Sequence, residues 1–577
     1  MTKKDYFIPR MFYRLLMPSL VSSFGYALAD MVDAVVVGRQ MGETGLAAIS
    51  LSLPLYMLIN LFMEAFALGG SVYFSQKLGE GQESAARACF GRIWTATLAV
   101  GLMIAFLVNV FPYPVLALLG TTPADGKVFY ACGSYVRIIA AGAPLLMLNI
   151  VLGTFLRNDG RASLASVGFL IGNALDIALN VVLVLFCAMG TRGAALATVC
   201  GSALTVTIYV VEILRKPGKA LCFERVPLKL SETLSCFQTG FSTAVRHLLS
   251  LVFLLAVNRT LMHMSGEEGV AIFDVVYNAS FFLIYLYNGT GEALQPLVST
   301  FTGEKSEADS RCVLSLANRT ALVLGAVAAL LMALFAPALA SLFGVSKELQ
   351  PLAAGAVRLY VSGFAFAGVN IIREQYEQAR DNTLAAFMLV LLREMVVLLP
   401  CMLAFSRLGL AYMWLFYPAS ECITFVVFCV LMHFLPQRPT FPPERSLRVT
   451  VENTGEDIAN ALAAIEDFCT SCEATPAQTC GVSLVTEELC MSIFRNAMTG
   501  VKDARIRLTL LALEDGSFVL HSLDNAVPFD PFSRVFRTNA QAEAFDIDAA
   551  SLAIIKSRAK KTQYRPSVGF NSFVIQL

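Results

Sequence analysis

The chain has 577 residues, of which 56% are hydrophobic and only 15% charged, against the roughly 25% charged of soluble domains. Forty-three basic residues balance 43 acidic ones, so bulk charge points to no nucleic-acid partner. The mean hydropathy of +0.65 instead predicts a chain that lies mostly in a lipid bilayer.

In chain order, a basic start (Lys3, Lys4, Arg10, Arg14) runs into an apolar stretch without a small-residue cleavage site, so no cleavable leader is expected. Apolar runs long enough to span fall near 15–37, 46–72, 93–119, 133–155, 164–188 and 193–214. A second set falls near 238–262, 270–300, 319–343, 354–378, 383–406 and 411–435. The expected fold class is therefore a polytopic α-helical membrane protein of about twelve helices, six per half. Lys and Arg crowd the N-terminus and alternate loops (Lys77/Arg87/Arg92, Arg157/Arg161, Arg215/Lys216/Lys219/Arg225/Lys229, Lys305/Arg311/Arg319). The positive-inside rule then predicts a multi-pass plasma-membrane protein with both termini in the cytoplasm.

The texture changes after Phe434. Pro436, Pro439, Pro442 and Pro443 predict a stiff linker. Strands are expected over Ser446–Val451, Arg505–Leu513, Ser517–Ser522 and Asn571–Leu577, with helices over Glu456–Cys472, Pro476–Asn496 and Ala549–Lys560. The expected domains are thus 1–222 and 223–436 as six-helix lobes, 437–445 as linker, and 446–577 as a small cytoplasmic α/β domain. The 14 cysteines are scattered, many in apolar runs, where they act as small hydrophobes.

The two halves repeat each other. Gly79, Glu80, Glu83 and Arg87 recur as Gly303, Glu304, Glu307 and Arg311, about 224 positions on, too long a period for a solenoid. Gly42-Glu43-Thr44-Gly45 returns as Gly266-Glu267-Glu268-Gly269. Arg137, Gly142 and Asn149 match Arg358, Gly363 and Asn370, with the offset shortened to about 221. Duplicated halves are how many secondary transporters build two gates around one central site.

Carboxylates at membrane depth cost a few kcal/mol and persist where they face a cavity or a partner. Asp33 lies in the first span, and Asp176 lies in the fifth with Asn173 and Asn180 on the same helix face. These four are the candidate coupling residues, able to hold Na⁺ through oxygens (at Asp33 and Asp176) or a proton; interhelical hydrogen-bond glue is the alternative. Asp30 and Glu64 lie nearer span ends. Arg246, His247, Asp274, Glu292, Arg373, Glu374 and Glu377 also lie at membrane depth. Arg373 with Glu377, and Arg393 with Glu394, are expected to neutralise each other as structural or gating pairs.

These residues carry a resemblance. Asp33-Ala-Val-Val-Val-Gly38-Arg39, Gly45-Leu-Ala-Ala-Ile49, Gln76-Lys-Leu-Gly79-Glu80-Gly81, Met189-Gly190-Thr-Arg-Gly193 and Gln295-Pro296-Leu-Val-Ser299 are similar to multidrug and toxic compound extrusion (MATE) transporters over about residues 10–435. The resemblance implies two six-helix lobes around a cavity, export of organic and often cationic compounds in exchange for Na⁺ or H⁺, and a first-span carboxylate at Asp33. The family's fifth-span order of Asn then Asp is exchanged here, with Asp176 before Asn180. The tail resembles the histidine-kinase-like ATP-binding fold of anti-sigma-factor serine kinases, with Glu488 and Ser492 in a first ATP box and Asp524 in a second. There Glu488 would be the base, Ser492 stands where a magnesium-binding Asn is usual, Ala526 replaces a Gly, and the segment Asp546–Leu552 has no glycine to approach phosphates.

The resulting expectation is a cation-coupled exporter of cationic or amphipathic compounds, not an enzyme. It needs no cofactor beyond Na⁺ or H⁺, and ATP with Mg²⁺ is an eroded option. Its partners would be a small-molecule substrate, the bilayer and a cytoplasmic regulatory protein. Two alternatives stand beside it: a membrane signalling receptor using the kinase-like tail, and a flippase for lipid-linked sugars.

Overall fold

A computed structural model describes residues 7–123, 126–215, 221–342, 347–434, 441–530 and 556–577, apart from positions 225, 228, 499–500, 502, 557 and 568–569. The chain divides into two compact units. The first comprises Met1–Ser75, Ser84–Thr302 and Ala308–Arg438; the second joins Pro439–Leu577 with two short turns, Gln76–Glu83 and Gly303–Glu307.

The first unit is helical. In its first half run α1 (Phe7–Gly79), α2 (Glu83–Val110), α3 (Pro112–Leu118), α4 (Lys127–Asn158), α5 (Ala162–Asn180) and α6 (Thr191–Arg215). Its second half holds α7 (Leu230–Ala244), α8 (Arg246–Gly303), α9 (Glu307–Leu334), α10 (Ala336–Leu342), α11 (Gln350–Val361), α12 (Phe364–Ala379), α13 (Thr383–Leu391), α14 (Leu398–Ser406), α15 (Leu410–Met413) and α16 (Phe416–Leu431). Among the described residues ten helices are long and apolar enough to cross a membrane, and α11 with α12, bent by 45°, makes an eleventh. The expected twelve are thus ten or eleven by this measure; the first expected span, 15–37, falls on α1, where the side chains of 26–35 and 37 lie outside the described residues. The bend between α11 and α12 falls at Ser362-Gly363, a pair that commonly kinks helices. The expected 93–119 span is instead Glu83–Val110, because the residue before Pro112 leaves the helical region.

Two helical stretches are too long for one crossing. The Ser166 hydroxyl donates to the Pro18 carbonyl at 2.7 Å, and the Ser75 hydroxyl donates to Asn158 Oδ1 at 2.5 Å. Asn158 and Ser166 can be at most about 29 Å apart along the chain, whereas a straight helix from Pro18 to Ser75 would measure about 86 Å. α1 therefore doubles back and supplies two crossings. α8 does the same: Arg246 meets Glu64 and Gln295 meets Ser71, two turns apart on α1, yet a straight helix between Arg246 and Gln295 would run about 74 Å.

The sequence repeat is a backbone repeat. Gly81 and Lys305 both turn through positive φ, at 73° and 56°, and so do Gly160 and Asp381, at 82° and 61°. These pairs keep the offsets of about 224 and 221 read from the loops. The fifth span of each half also widens into a π-helical stretch, Val181–Phe186 after α5 and Leu392–Val396 after α13, a feature frequent at functional sites.

The halves meet through glycine. A Cβ built on Gly69 of α1 would lie 1.8 Å from the Cys236 carbonyl of α7, and one on Gly240 of α7 would lie 1.9 Å from the Ala65 carbonyl of α1. Only hydrogen lets the two backbones approach so closely, as in small-residue contacts between membrane helices.

In the second unit, β1 (Ser446–Glu452), β2 (Arg505–Ala512), β3 (Phe518–Asp524), β4 (Lys561–Ser567) and β5 (Phe570–Gln576) form an antiparallel sheet in the order β1-β2-β3-β5-β4. α17 (Gly455–Ser471) and α18 (Pro476–Ala497) share a core with the sheet built on Ile465, Val485, Leu489, Ile493, Leu508 and Leu520. Thr454 caps α17 by accepting from the Asp457 N–H, and Thr475 with Gln478 forms a capping box on α18. β4 was not expected. Pro566 within it is tolerated because β4 is an edge strand. The helix expected at Ala549–Lys560 falls mostly outside the described residues.

Replacing Gly240 by Val should force α1 and α7 apart, lowering the stability of the solubilised protein by about 1–3 kcal/mol. Gly355→Ala, where a Cβ meets nothing within 4 Å, should leave stability unchanged or raise it by up to about 1 kcal/mol. Thermal melting in detergent compares the two.

Candidate functional site

The residues expected to couple ion and cargo sit where α1 and α5 run side by side. Ser166 reaches Pro18, a Cβ on Gly25 would lie 3.7 Å from the Asn173 amide nitrogen, and Val36 clusters with Val184. The separation in sequence is 148 in the first contact and the same in the other two, so the helices run parallel in one register. That register sets the backbone of Asp33 level with Val181, next to Asn180; the Asp33 side chain lies outside the described residues. Asp176 is buried one turn away, and Asn180 is fully enclosed where α5 passes into its π stretch. The expected shared face is divided. Asn173 turns to Gly25 of α1, while Asp176 lies against Gly201 of α6, whose built Cβ would be 2.8 Å from the Asp176 Cβ.

A second group of charges is larger than the sequence suggested. Glu64 from α1 takes Arg246 and His247, the latter at 2.5 Å. Arg246 also reaches Glu374 at 3.3 Å, and Glu374 takes Arg393 at 3.2 Å. Arg393 in turn grips both oxygens of Glu421, at 3.1–3.3 Å, while Asn370 donates to Glu421 at 2.7 Å. Ser250 donates to Glu394 at 2.9 Å. Tyr360 stacks on Tyr417 beside this group, with centroids 4.2 Å apart.

The expected ion pair of Arg393 with Glu394 is present but long, at 3.9 Å, and Arg393 lies closer to Glu421 and Glu374. Arg373 and Glu377 also pair, at 2.7 Å. Glu421 was missed, although the rule that singled out Asp33 applies equally to a lone carboxylate in the last apolar run. Among the described residues, four carboxylates (Glu64, Glu374, Glu394, Glu421) face two arginines and His247. Enclosed carboxylates of this kind favour a cation or a proton.

At one end the halves are sealed by polar contacts. Gln295 donates to Ser71 at 2.8 Å, two positions separated by 224, which is the repeat offset. Asn158 donates to Gln295 at 3.2 Å, and Arg157 pairs with Glu292 at 3.1 Å. Equivalent positions of the two halves therefore touch across the repeat axis.

In the second unit, Asp524 is wholly buried; its Oδ1 accepts from Asn571 Nδ2 and from the Ala526 N–H, both at 2.8 Å. Burial lifts its carboxyl to about 6, against the pull of those two hydrogen bonds. Burial, with Asp524 nearby, likewise pushes Cys490 up to about 12. Ser492 is enclosed and Glu488 half-buried. Only Oδ1 of Asp524 is occupied by these neighbours, and among the described residues Oδ2 accepts no hydrogen bond; no chemical step is assigned to ATP.

This fold and these enclosed charges define a polytopic helical membrane transporter made of two repeated halves. The MatE family model matches residues 18–204 and 243–403, more than half of the chain, and the chain belongs to that family; its task is transport, not catalysis. The probable multidrug resistance protein YoeA of Bacillus subtilis (strain 168) is 25% identical over 342 residues, 58% of this chain and 73% of that protein. The multidrug export protein MepA of Staphylococcus saprophyticus subsp. saprophyticus is 21% identical over 386 residues, 66% of this chain and 84% of its own length. A MATE crystal structure in complex with MaL6 matches with a TM-score of 0.70 at 19% identity, covering 75% of this chain and 98% of that one. An outward-facing multidrug resistance MATE family transporter matches at 0.67 and 20% identity, with the same two coverages. These structures share the fold of the helical unit.

Two measurements follow. Arg393→Met leaves Glu421 and Glu374 short of a partner and should cost about 3–5 kcal/mol, read as a lowered melting temperature; Arg393→Met combined with Glu421→Leu should recover most of it. Protonated Asp524 contributes stability that is present below about pH 4 and lost as pH rises through 6. Asp524→Asn should therefore remove that pH dependence and raise protection by roughly 3 kcal/mol above pH 8, measured by hydrogen exchange of β3 in the full-length protein.

Proposed function

We propose that this chain exports organic, cationic or amphipathic compounds from a bacterial cell in exchange for Na⁺ or H⁺, from a plasma-membrane site with both termini in the cytoplasm. The observation that supports the reading is the parallel register of α1 and α5, with the Asp33 backbone level with Val181, next to Asn180, and buried Asp176 a little over one turn away on α5. An acid in that position is neutralised when a cation or proton arrives, and the loss of charge favours repacking of the surrounding helices. The relatives named as multidrug resistance and multidrug export proteins support organic compounds as cargo.

In this scheme the ion enters on the α1 side at Asp33, where Asn173 and Asn180 supply neutral oxygens, and Asp176, packed against Gly201 of α6, takes part from the neighbouring face. The carboxylates of Glu374 and Glu421 attract the cationic cargo from the opposite half. The sealed end opens only when Ser71 and Gln295 part. Because the gradient supplies the energy, about 2.3 kcal/mol per charge per 100 mV, no nucleotide is needed, and the second unit acts as a regulatory module.

The test is ethidium efflux from cells lacking their own pumps. Wild type should lower accumulation, and Asp33→Asn or Asp176→Asn should cut efflux about tenfold or more at unchanged membrane yield. Wild-type efflux by either variant would overturn the assignment.

A further inference from the structure

The repeated Gly-Glu turns that mark the sequence have no part in the transport scheme, yet both belong to the second unit. The first, Gln76–Glu83, ends α1; the second, Gly303–Glu307, ends α8, at the equivalent place in the other half. Gly81 and Lys305 occupy the same left-handed position in the two turns. Residues of the tail contact each one differently.

At Gly81 a Cβ would come within 3.1 Å of Val574 Cγ1 and 3.4 Å of Gln563 Oε1, so the bare turn lets β4 and β5 lie against it. In the second turn a lysine takes the left-handed position, which costs a non-glycine residue about 1 kcal/mol or more. Lys305 Nζ sits 5.1 Å above the Phe441 ring, a cation–π contact that offsets the cost. Next to it Ser306 accepts from Arg448 of β1 at 2.7 Å. The sheet thus engages one turn with its β4/β5 edge and the other with β1 and the chain leading into it, and the two turns also touch: a Cβ on Gly303 would lie 2.1 Å from the Gln76 carbonyl.

We propose that residues 439–577 form a clamp that grips the corresponding helix ends of both halves and restrains their separation, so that release of the grip gates the transport cycle. The inference rests on the transporter reading above. Ser71 and Gln295, which seal the halves, lie on the same helices as the gripped turns. Opening that end carries Gly79 and Gly303 apart, and a folded sheet bound to both opposes it. The clamp adds a term to one conformation only, which is what shifts a two-state equilibrium.

The experiment uses a chain with its 14 cysteines replaced, a protease site in the Pro-rich linker, and Gly81→Cys with Val574→Cys. A Cβ on Gly81 would lie 3.6 Å from the Val574 Cβ, within the range a disulfide requires. Oxidation should keep the two cleavage fragments together on a non-reducing gel, slow ethidium transport about tenfold or more, and be reversed by reductant. Arg448→Ala in the uncrosslinked chain should speed transport, and deletion of 439–577 should leave it at least as fast. Absence of the disulfide, or a crosslinked protein that transports like its reduced form, overturns the clamp. A reduced, full-length protein that moves no solute would instead sink the transporter reading, while the crosslink yield still reports on the grip.

Discussion

The enclosed carboxylates that Arg246 and Arg393 tie together among the described residues are the constraint on which much of this molecule depends. A carboxylate removed from water is tolerated only with compensation. Arg393 and Arg246 supply much of it, tying Glu374, Glu421 and Glu64 together across helices from both halves. Among the described residues of this group, four carboxylates face two arginines and His247. Under the function proposed above, these charges and buried Asp176 are where a mobile cation or proton would act.

Duplication gives these charges a mechanical setting. The same left-handed turn closes the second span of each half, and the same π widening interrupts the fifth. Asn180 borders one widening and Arg393 lies in the other, so the polar groups of both halves gather where the regular helical hydrogen bonding is broken. At the repeat axis Ser71 and Gln295 hydrogen-bond directly. Glycines at 69 and 240 bring the backbones together nearby. Contacts this close are either made or broken, which suits alternation between two arrangements rather than gradual deformation.

Much of this was legible in the sequence. Apolar length marked the spans, and recurring loop glycines marked the two halves. In the tail, β1, α17 and α18 lie within a residue or two of where alternation, helical period and the Thr475-Pro476 start placed them. The parallel register of α1 and α5 was not legible, because it depends on which helices become neighbours. The further partners of Arg393 were not legible for the same reason: beside Glu394, packing brings in Glu421, 28 positions away. β4 escaped notice because Pro566 argues against a strand unless the strand is known to be an edge. The exchanged order of Asp176 and Asn180 was visible, but its consequence, an acid against Gly201 of α6 and an amide at the level of Asp33, needed the fold.

Under the function proposed above, an ion gradient alone drives cargo through this chain. The most direct measurement is uptake of a fluorescent organic cation into proteoliposomes holding purified protein, with the Na⁺ gradient and the pH gradient imposed one at a time and no nucleotide present. Accumulation above the equilibrium level is expected under at least one of the two gradients, abolished by the matching ionophore. Equal uptake with and without every gradient, or accumulation that appears only on adding ATP, would contradict the proposed function.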